Sequence, residues 1–145
     1  MKLCNMKTLS KLFCIVLIVA MALCTIGCGT PSTPGYSTDV IENGKTYGSG
    51  AKEFTYKVID PDGNESTAII KTDKNTVGEA LLELNLIAGD QGEYGLYMTC
   101  VNNITLDWEK DAMYWALYVN GEYGLTGIEL TEIENGAEYT LKAEK

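Results

Sequence analysis

The sequence predicts an α+β fold, in which one amphipathic helix crosses a mixed sheet of about five to seven strands. Two observations predict this fold class. Runs of strand-forming residues alternate with turn dipeptides through residues 51–145, and one helix with a capping box interrupts them. A body of about 95 residues can bury one modest core, so a single folded domain is expected over 51–145.

The composition excludes several classes of function. The chain has a net charge of −9 and no histidine or arginine, so all eleven basic residues are lysines. An acidic surface without arginine makes nucleic acid a poor partner. The lack of histidine removes Ser-His and Cys-His catalysis. We expect a binding protein and not an enzyme, because an enzyme would need carboxylates that converge in a cleft.

The N-terminal segment has the features of a secretory signal. Residues 1–11 carry lysines, residues 12–26 are apolar, and Gly27 precedes Cys28. This arrangement resembles a bacterial lipoprotein signal, so we expect a signal peptide over 1–28 and lipidation at Cys28. The chain would then be extracellular, anchored by lipid to the outer face of the bacterial cytoplasmic membrane. The alternative is an ordinary cleaved signal in which Cys28 has no role.

A flexible tether is expected between the anchor and the domain. Residues 29–50 contain fourteen Gly, Pro, Ser or Thr residues among twenty-two. Such a composition is typical of a linker without a core of its own.

The first half of the domain is predicted to be a hairpin followed by the helix. Residues 54–60 and 66–73 alternate as strands around a Pro-Asp-Gly-Asn turn. Thr76 and Glu79 have the spacing of a capping box. Apolar residues follow at helical spacing, and Gly89 is expected to end a helix of about twelve residues.

The second half is predicted to be strands only. A strand over 94–101 and a short one over 104–108 precede a polar loop, 107–111. A hairpin then turns at Asn120-Gly121, the dipeptide that best tolerates positive φ at both positions of a type I′ turn. After a polar segment, 127–136, the last strand covers 137–144.

The hairpin at Asn120-Gly121 has two apolar faces, which is more than a sheet with one wet face needs. Alternation places Trp115, Leu117 and Val119 on the face expected to cover the core. The opposite face is our candidate binding surface and carries Tyr114, Ala116, Tyr118, Tyr123 and Leu125. Its tyrosines could stack on a flat ligand or a sugar. The alternative is that they only favour strand formation and are partly covered by loops.

Several segments in order resemble one known family. They are TVGEALLEL (76–84), GLYMTCVN (95–102), Tyr114-Trp115, Gly127-Ile128 and a closing G-x-x-Y-x-L strand (136–141). Together they resemble the transcobalamin-like C-terminal domain, the small β-domain of the vitamin B12 carriers that is also found in bacterial surface lipoproteins. The resemblance spans nearly the whole body and implies a β-grasp-like roll.

The resemblance also implies a function and a site. It implies a module that captures a corrinoid or another flat small molecule for uptake, with no resident cofactor beyond a cobalamin-like ligand. The ligand-facing residues would be Tyr94, Leu96, Tyr97, Tyr114, Tyr118, Tyr123, Leu125 and Thr126. The chain lacks the large helical domain of the B12 carriers, so a transporter or a helical partner chain is expected beside it. The alternative function is a protein-interaction or adhesion module that uses the sheet face or an edge strand.

Two further features have plain interpretations. Asp107, Glu109 and Asp111 offer calcium-type oxygens but lack the spacing of a calcium loop, so a solvated acidic loop is favoured and no metal site is predicted. Cys100, the only cysteine of the body, lies in an apolar run and is expected to be a small buried hydrophobe.

Overall fold

The computed structural model describes residues 35–145. The expected signal peptide, its lipidation site Cys28 and the first residues of the expected tether lie outside this range. In the range 35–145, none of the helices has the length and apolar character needed to cross a membrane.

The larger of two sheets has six strands and is mixed. Its strands are β1 (Thr46–Gly48), β2 (Lys52–Ile59), β3 (Glu65–Thr72), β7 (Tyr114–Val119), β8 (Glu122–Tyr123) and β9 (Glu138–Glu144). Their spatial order is β1-β3-β2-β9-β7-β8. The β1–β3 and β2–β9 pairs are parallel, and the other pairs are antiparallel.

The smaller sheet is antiparallel, in the order β4-β5-β6, and two helices complete the fold. Its strands are β4 (Ile87–Gly92), β5 (Gly95–Val101) and β6 (Ile104–Thr105). The helices are α1 (Val77–Glu83) and α2 (Trp108–Asp111). The coarse prediction of an α+β fold with a mixed sheet is therefore confirmed, as a β-rich fold with two sheets.

The core lies on one face of the larger sheet. Alternation along β2 buries Phe54, Tyr56 and Val58, and along β9 it buries Tyr139 and Leu141. Helix α1 and residues of the smaller sheet pack against this face through Val77, Ala80, Leu81, Ile87 and Val101. Trp115 and Leu117 belong to the same cluster, which confirms the predicted core face of the β7–β8 hairpin.

The prediction of a flexible tether over 29–50 is wrong for residues 35–50, the part that the structure describes. Residues 35–50 lie on the domain, and β1 pairs with β3. Thr38 and Ile41 are buried, and the backbone amide of Ile41 donates to Asn102 Oδ1 at 2.7 Å. The composition is typical of a linker, but two buried side chains and a short strand are enough to bind this segment to the domain. The domain therefore begins before Ala51.

The predicted helix is also shorter than expected. Helix α1 ends at Glu83, because Asn85 takes a positive φ of 54° and the chain enters β4 at Ile87. Gly89 lies inside β4 and does not end the helix. A second short helix, α2, replaces part of the predicted polar loop, with Asp107 as its N-cap.

The predicted capping box of α1 is present, and its removal should be measurable. The Thr76 hydroxyl accepts from the Glu79 amide at 3.3 Å, and Glu79 Oε2 accepts from the Thr76 amide. Thr76→Ala is expected to lower the free energy of unfolding by about 1 kcal/mol. Urea unfolding followed by tryptophan fluorescence measures this change. The control, Thr105→Ala on exposed β6, should stay within about 0.5 kcal/mol. Equal effects in both variants would contradict a role for the cap.

Candidate functional site

The β7–β8 hairpin forms with the predicted register. Tyr118 pairs with Tyr123 and Val119 with Glu122. Asn120 and Gly121 both have positive φ, of 50° and 84°, as a type I′ turn requires. The predicted face therefore carries Tyr114, Tyr118 and Tyr123 at the end of the larger sheet. Ala116, also expected on this face, is buried, and Leu125 lies beyond the end of β8.

The tyrosine hydroxyls on this face are tied into a network. Tyr118 donates to Glu144 Oε1 at 2.6 Å, and Lys142 Nζ lies 2.9 Å from the same oxygen. These contacts hold the pKa of Glu144 below its usual range, and the hydrogen bond to Glu144 raises the pKa of Tyr118. The neighbouring Tyr123 hydroxyl raises the pKa of Tyr114 to about 12. The tyrosine hydroxyls therefore already have part of their hydrogen bonds within the protein. A ligand would contact mainly the faces of the tyrosine rings.

A small cleft lies where β5 of the smaller sheet meets the β7–β8 hairpin. Its volume is about 210 Å³, and we call it the tyrosine cleft. Tyr97 and Tyr123 are about half exposed at this cleft, and Trp115 lines it as a buried residue. The other lining residues are Leu96, Met98, Tyr114, Ala116, Leu117, Gly127 and Ile128. Most of this lining is apolar or aromatic, as is usual for a small-molecule site.

A second cleft adjoins the first, because Leu96 and Gly127 line both. Its volume is about 390 Å³, and we call it the hairpin cleft, after the β4–β5 hairpin at its side. It is lined by Glu93, Tyr94, Gly95, Leu96, Gly127, Glu129 and Leu130. Tyr94 is 91% exposed, which leaves almost its whole ring free. Glu129 Oε2 accepts from the Leu96 amide at 2.7 Å and so joins the 127–130 loop to β5.

The structure brings five of the eight predicted site residues into these two clefts. Tyr94 and Leu96 line the hairpin cleft, and Leu96 also lines the tyrosine cleft with Tyr97, Tyr114 and Tyr123. Leu125 and Thr126 lie on the exposed turn that precedes Gly127, and Leu125 is 98% exposed. Tyr118 lines neither cleft and instead supports Tyr123, with ring centroids 5.5 Å apart.

Sequence reasoning missed several lining residues. Trp115 belongs to the core, as predicted, and it also lines the tyrosine cleft. Its indole Nε1 is buried and finds no hydrogen-bond partner among residues 35–145. Glu93, Glu129 and Leu130 lie on irregular segments that strand periodicity cannot place. The Gly127-Ile128 pair, part of the family resemblance, was the one available signal for this loop.

A β-bulge explains the orientation of Tyr97. Ala88 pairs with Cys100 but Gly89 pairs with Met98, so Thr99 is an extra residue on β5. The bulge shifts the alternation, so Val101 is buried whereas Tyr97 is half exposed, although both have the same parity. Regular alternation would have placed these two side chains on one face.

Other features of the described residues offer less to a ligand. A polar pocket of about 480 Å³ near β1 and α1 contains Lys71 and Lys74, but these pair with Glu53 and Glu83 at 3.2 Å. Within residues 35–145, no three His, Cys, Asp or Glu side chains group as metal ligands. Cys100 is buried, as predicted.

Two acidic residues of the predicted loop accept hydrogen bonds from backbone amides at the start of helix α2. Asp107 accepts from the amides of Glu109 and Lys110, and Asp111 accepts from the Asp107 amide. The hydrogen bond from the Lys110 side chain is the main contact that lowers the pKa of Asp107. These carboxylates therefore cap a helix.

Comparisons with known proteins place the fold. The model of DUF4430, a domain of unknown function, matches residues 75–145. A crystal structure from Ruminococcus gnavus ATCC 29149, of a protein described as a proposed metal binding protein, is 33% identical, with a TM-score of 0.62. The alignment covers 66% of this chain and 98% of that one. No curated protein matches.

A second solved structure is similar in fold alone. Haptocorrin in complex with Cbi has a TM-score of 0.50 at 17% identity. The alignment covers 68% of this chain but only 26% of the haptocorrin chain. The chain thus corresponds to about a quarter of that protein.

Proposed function

We propose that this chain, which carries a DUF4430 domain and belongs to the same family as the Ruminococcus gnavus protein, is a ligand-binding module for a flat small molecule. The two adjoining clefts are its site, and a corrinoid is the first ligand to test. The proposal includes the predicted lipid anchor at Cys28, an extracellular location and the absence of catalysis. It also includes the finer fold assignment, a β-grasp-like roll.

One observation carries the proposal. The exposed aromatic side chains of Tyr94, Tyr97 and Tyr123 gather around two clefts that share Leu96 and Gly127. Clustered exposed aromatic surface is typical of interaction sites, and tyrosine rings suit the flat face of a conjugated ligand. The fold likeness to haptocorrin, a protein whose structure holds Cbi, supports a corrinoid as the first choice.

The size of the clefts indicates that the chain alone would enclose only part of a corrinoid ligand. At about 210 and 390 Å³, they lie at or below the lower end of small-molecule pockets, which hold roughly 300–1,000 Å³. A corrinoid is larger than either cleft, so the chain would hold one edge or face of it. A transporter or a helical partner chain would cover the rest and raise the affinity.

Corrinoid binding can be tested directly on the purified full-length chain. Dicyanocobinamide and cyanocobalamin are titrated while tryptophan fluorescence is recorded, with an inner-filter control. Saturable quenching is expected because Trp115 lines the tyrosine cleft. Tyr94→Ala and Tyr97→Ala should each weaken binding about tenfold, equivalent to about 1.4 kcal/mol.

The control for this titration is Tyr47→Ala, which removes a tyrosine of β1, at the opposite end of the larger sheet from β8, that lines neither cleft. It should leave the dissociation constant unchanged. An absence of saturation up to about 1 mM would rule out corrinoid binding by the chain alone.

A protein-interaction module is the second candidate function. Leu125 and Leu130 are highly exposed aliphatic residues near the clefts, and they suit a protein surface better than a conjugated ring. If no corrinoid binds, this candidate would be favoured when a partner protein binds the unchanged chain but not the Leu125→Ser and Leu130→Ser variants.

A further inference from the structure

We propose that the hairpin cleft binds the positively charged part of its ligand, with Glu93 and Glu129 as the charged contacts and Tyr94 as an aromatic wall. This inference rests on the proposed function and names the chemical class of ligand for the same site. It follows from the hydrogen bonds that fix the Glu129 carboxylate, the absence of basic residues from the lining of the cleft and the exposure of the Tyr94 ring.

Glu129 is held in place with one oxygen free. Its Oε2 accepts from the Leu96 amide at 2.7 Å and from Gln91 Nε2 at 3.2 Å. Among residues 35–145, its Oε1 has no hydrogen-bond partner and Glu129 forms no ion pair. A carboxylate fixed by the backbone needs little reorganisation to meet a cation.

The lining of the cleft lacks positive charge. No lysine lines it, whereas Glu93 and Glu129 both do. From residue 75 to residue 141, the sequence has twelve acids and a single lysine, Lys110. That lysine pairs with Asp107 at 2.9 Å. Two glutamates without a lysine in the lining disfavour an anionic ligand and attract a cationic one.

The aromatic wall adds a second attraction for the same charge. The Tyr94 ring is almost fully exposed and belongs to the same cleft as both carboxylates. A cation over a tyrosine face is attracted by the ring quadrupole, and ammonium ligands use this interaction. Leu96 and Leu130 supply apolar contacts for the methylene or methyl groups next to such a charge.

A matched pair of small probes tests the inference without a corrinoid. Choline carries a permanent positive charge, and 3,3-dimethylbutan-1-ol has nearly the same shape without charge. Each is titrated into the ¹⁵N-labelled full-length chain in non-ionic detergent, and the amide signals of Gly95, Leu96 and Gly127 are followed. Choline is expected to shift these signals with a dissociation constant at least about tenfold below that of the alcohol.

Two variants assign the preference to the cleft. Glu129→Gln keeps an amide oxygen for the Leu96 amide but removes the charge, and Glu93→Gln removes the second charge. The double variant should lose the preference for choline. The control, Asp62→Asn, removes one charge from the β2–β3 turn, which lines neither cleft, and should keep the preference.

Three results would overturn the inference. The first is equal affinity for both probes. The second is the lack of any shift up to about 100 mM choline, a concentration about a hundredfold above a millimolar dissociation constant. The third is a preference for choline that survives in the double variant.

None of these results bears on corrinoid binding, which the fluorescence titration measures separately. If the chain prefers choline but does not bind a corrinoid, the corrinoid is excluded as the ligand, and a cationic ligand remains supported.

Discussion

Gly89→Ala is expected to lower the free energy of unfolding by about 3 kcal/mol, near the upper end for overpacked substitutions. A Cβ atom at residue 89 would overlap the Tyr97 carbonyl oxygen and lie 2.9 Å from Met98 Cα. Both contacts are with backbone, which cannot rotate away as a side chain could. The β4–β5 pair would have to separate at the bulge, and Tyr97 would move with it.

Gly127→Ala is the matched control for this substitution. A Cβ atom at residue 127 would meet nothing within 4 Å, and the φ of Gly127 is not positive. Its stability should therefore change by less than about 0.5 kcal/mol. Urea unfolding of both variants measures the difference. Equal stability of the two alanine variants would contradict the close backbone approach at Gly89.

The same substitution links the fold to the site. Tyr97 lines the tyrosine cleft, and the bulge opposite Gly89 turns its side chain outward. If the bulge is displaced, Tyr97 should lose its position even in the molecules that remain folded. We therefore expect weaker corrinoid binding in Gly89→Ala than the loss of folded protein alone explains.

The sequence predicted those elements whose signals are local. The β7–β8 hairpin follows from Asn120-Gly121, and the start of α1 follows from the Thr76 and Glu79 pair. Both depend on residues within four positions of each other. Strand β1 was not predicted, because its stability comes from pairing with β3, over twenty residues away in the sequence.

The residues that line the candidate site were easier to predict from the sequence than the shape of the clefts. The tyrosines of β7 and β8 were found through alternation, which tells which face a side chain takes. The tyrosine cleft arises where the smaller sheet meets the β7–β8 hairpin, and the hairpin cleft where the smaller sheet meets the 127–130 loop. No local sequence pattern reports such long-range contacts. The bulge at Thr99 made this harder, since it breaks the alternation along the strand that carries Leu96 and Tyr97.

Two buried tyrosines that are neighbours in the sheet should respond oppositely to loss of their hydroxyl groups. Tyr56 on β2 pairs in register with Tyr139 on β9, and both are almost fully buried. The Tyr139 hydroxyl donates to the Glu132 carbonyl oxygen and accepts from the Glu134 amide, both at 2.9 Å. The Tyr56 hydroxyl finds no hydrogen-bond partner among residues 35–145, and burial raises its pKa.

Tyr139→Phe is therefore expected to cost about 2 kcal/mol, because two backbone groups of the 132–134 segment lose their partner. Tyr56→Phe is expected to add about 1 kcal/mol, because it removes a buried hydroxyl that has no partner. The two substitutions delete the same atom from adjacent core positions, so the loss of packing is nearly equal and the difference isolates hydrogen bonding. Urea midpoints at a constant m-value measure both changes. A loss of stability in Tyr56→Phe would mean that a buried water satisfies this hydroxyl, and the expected gain would be wrong.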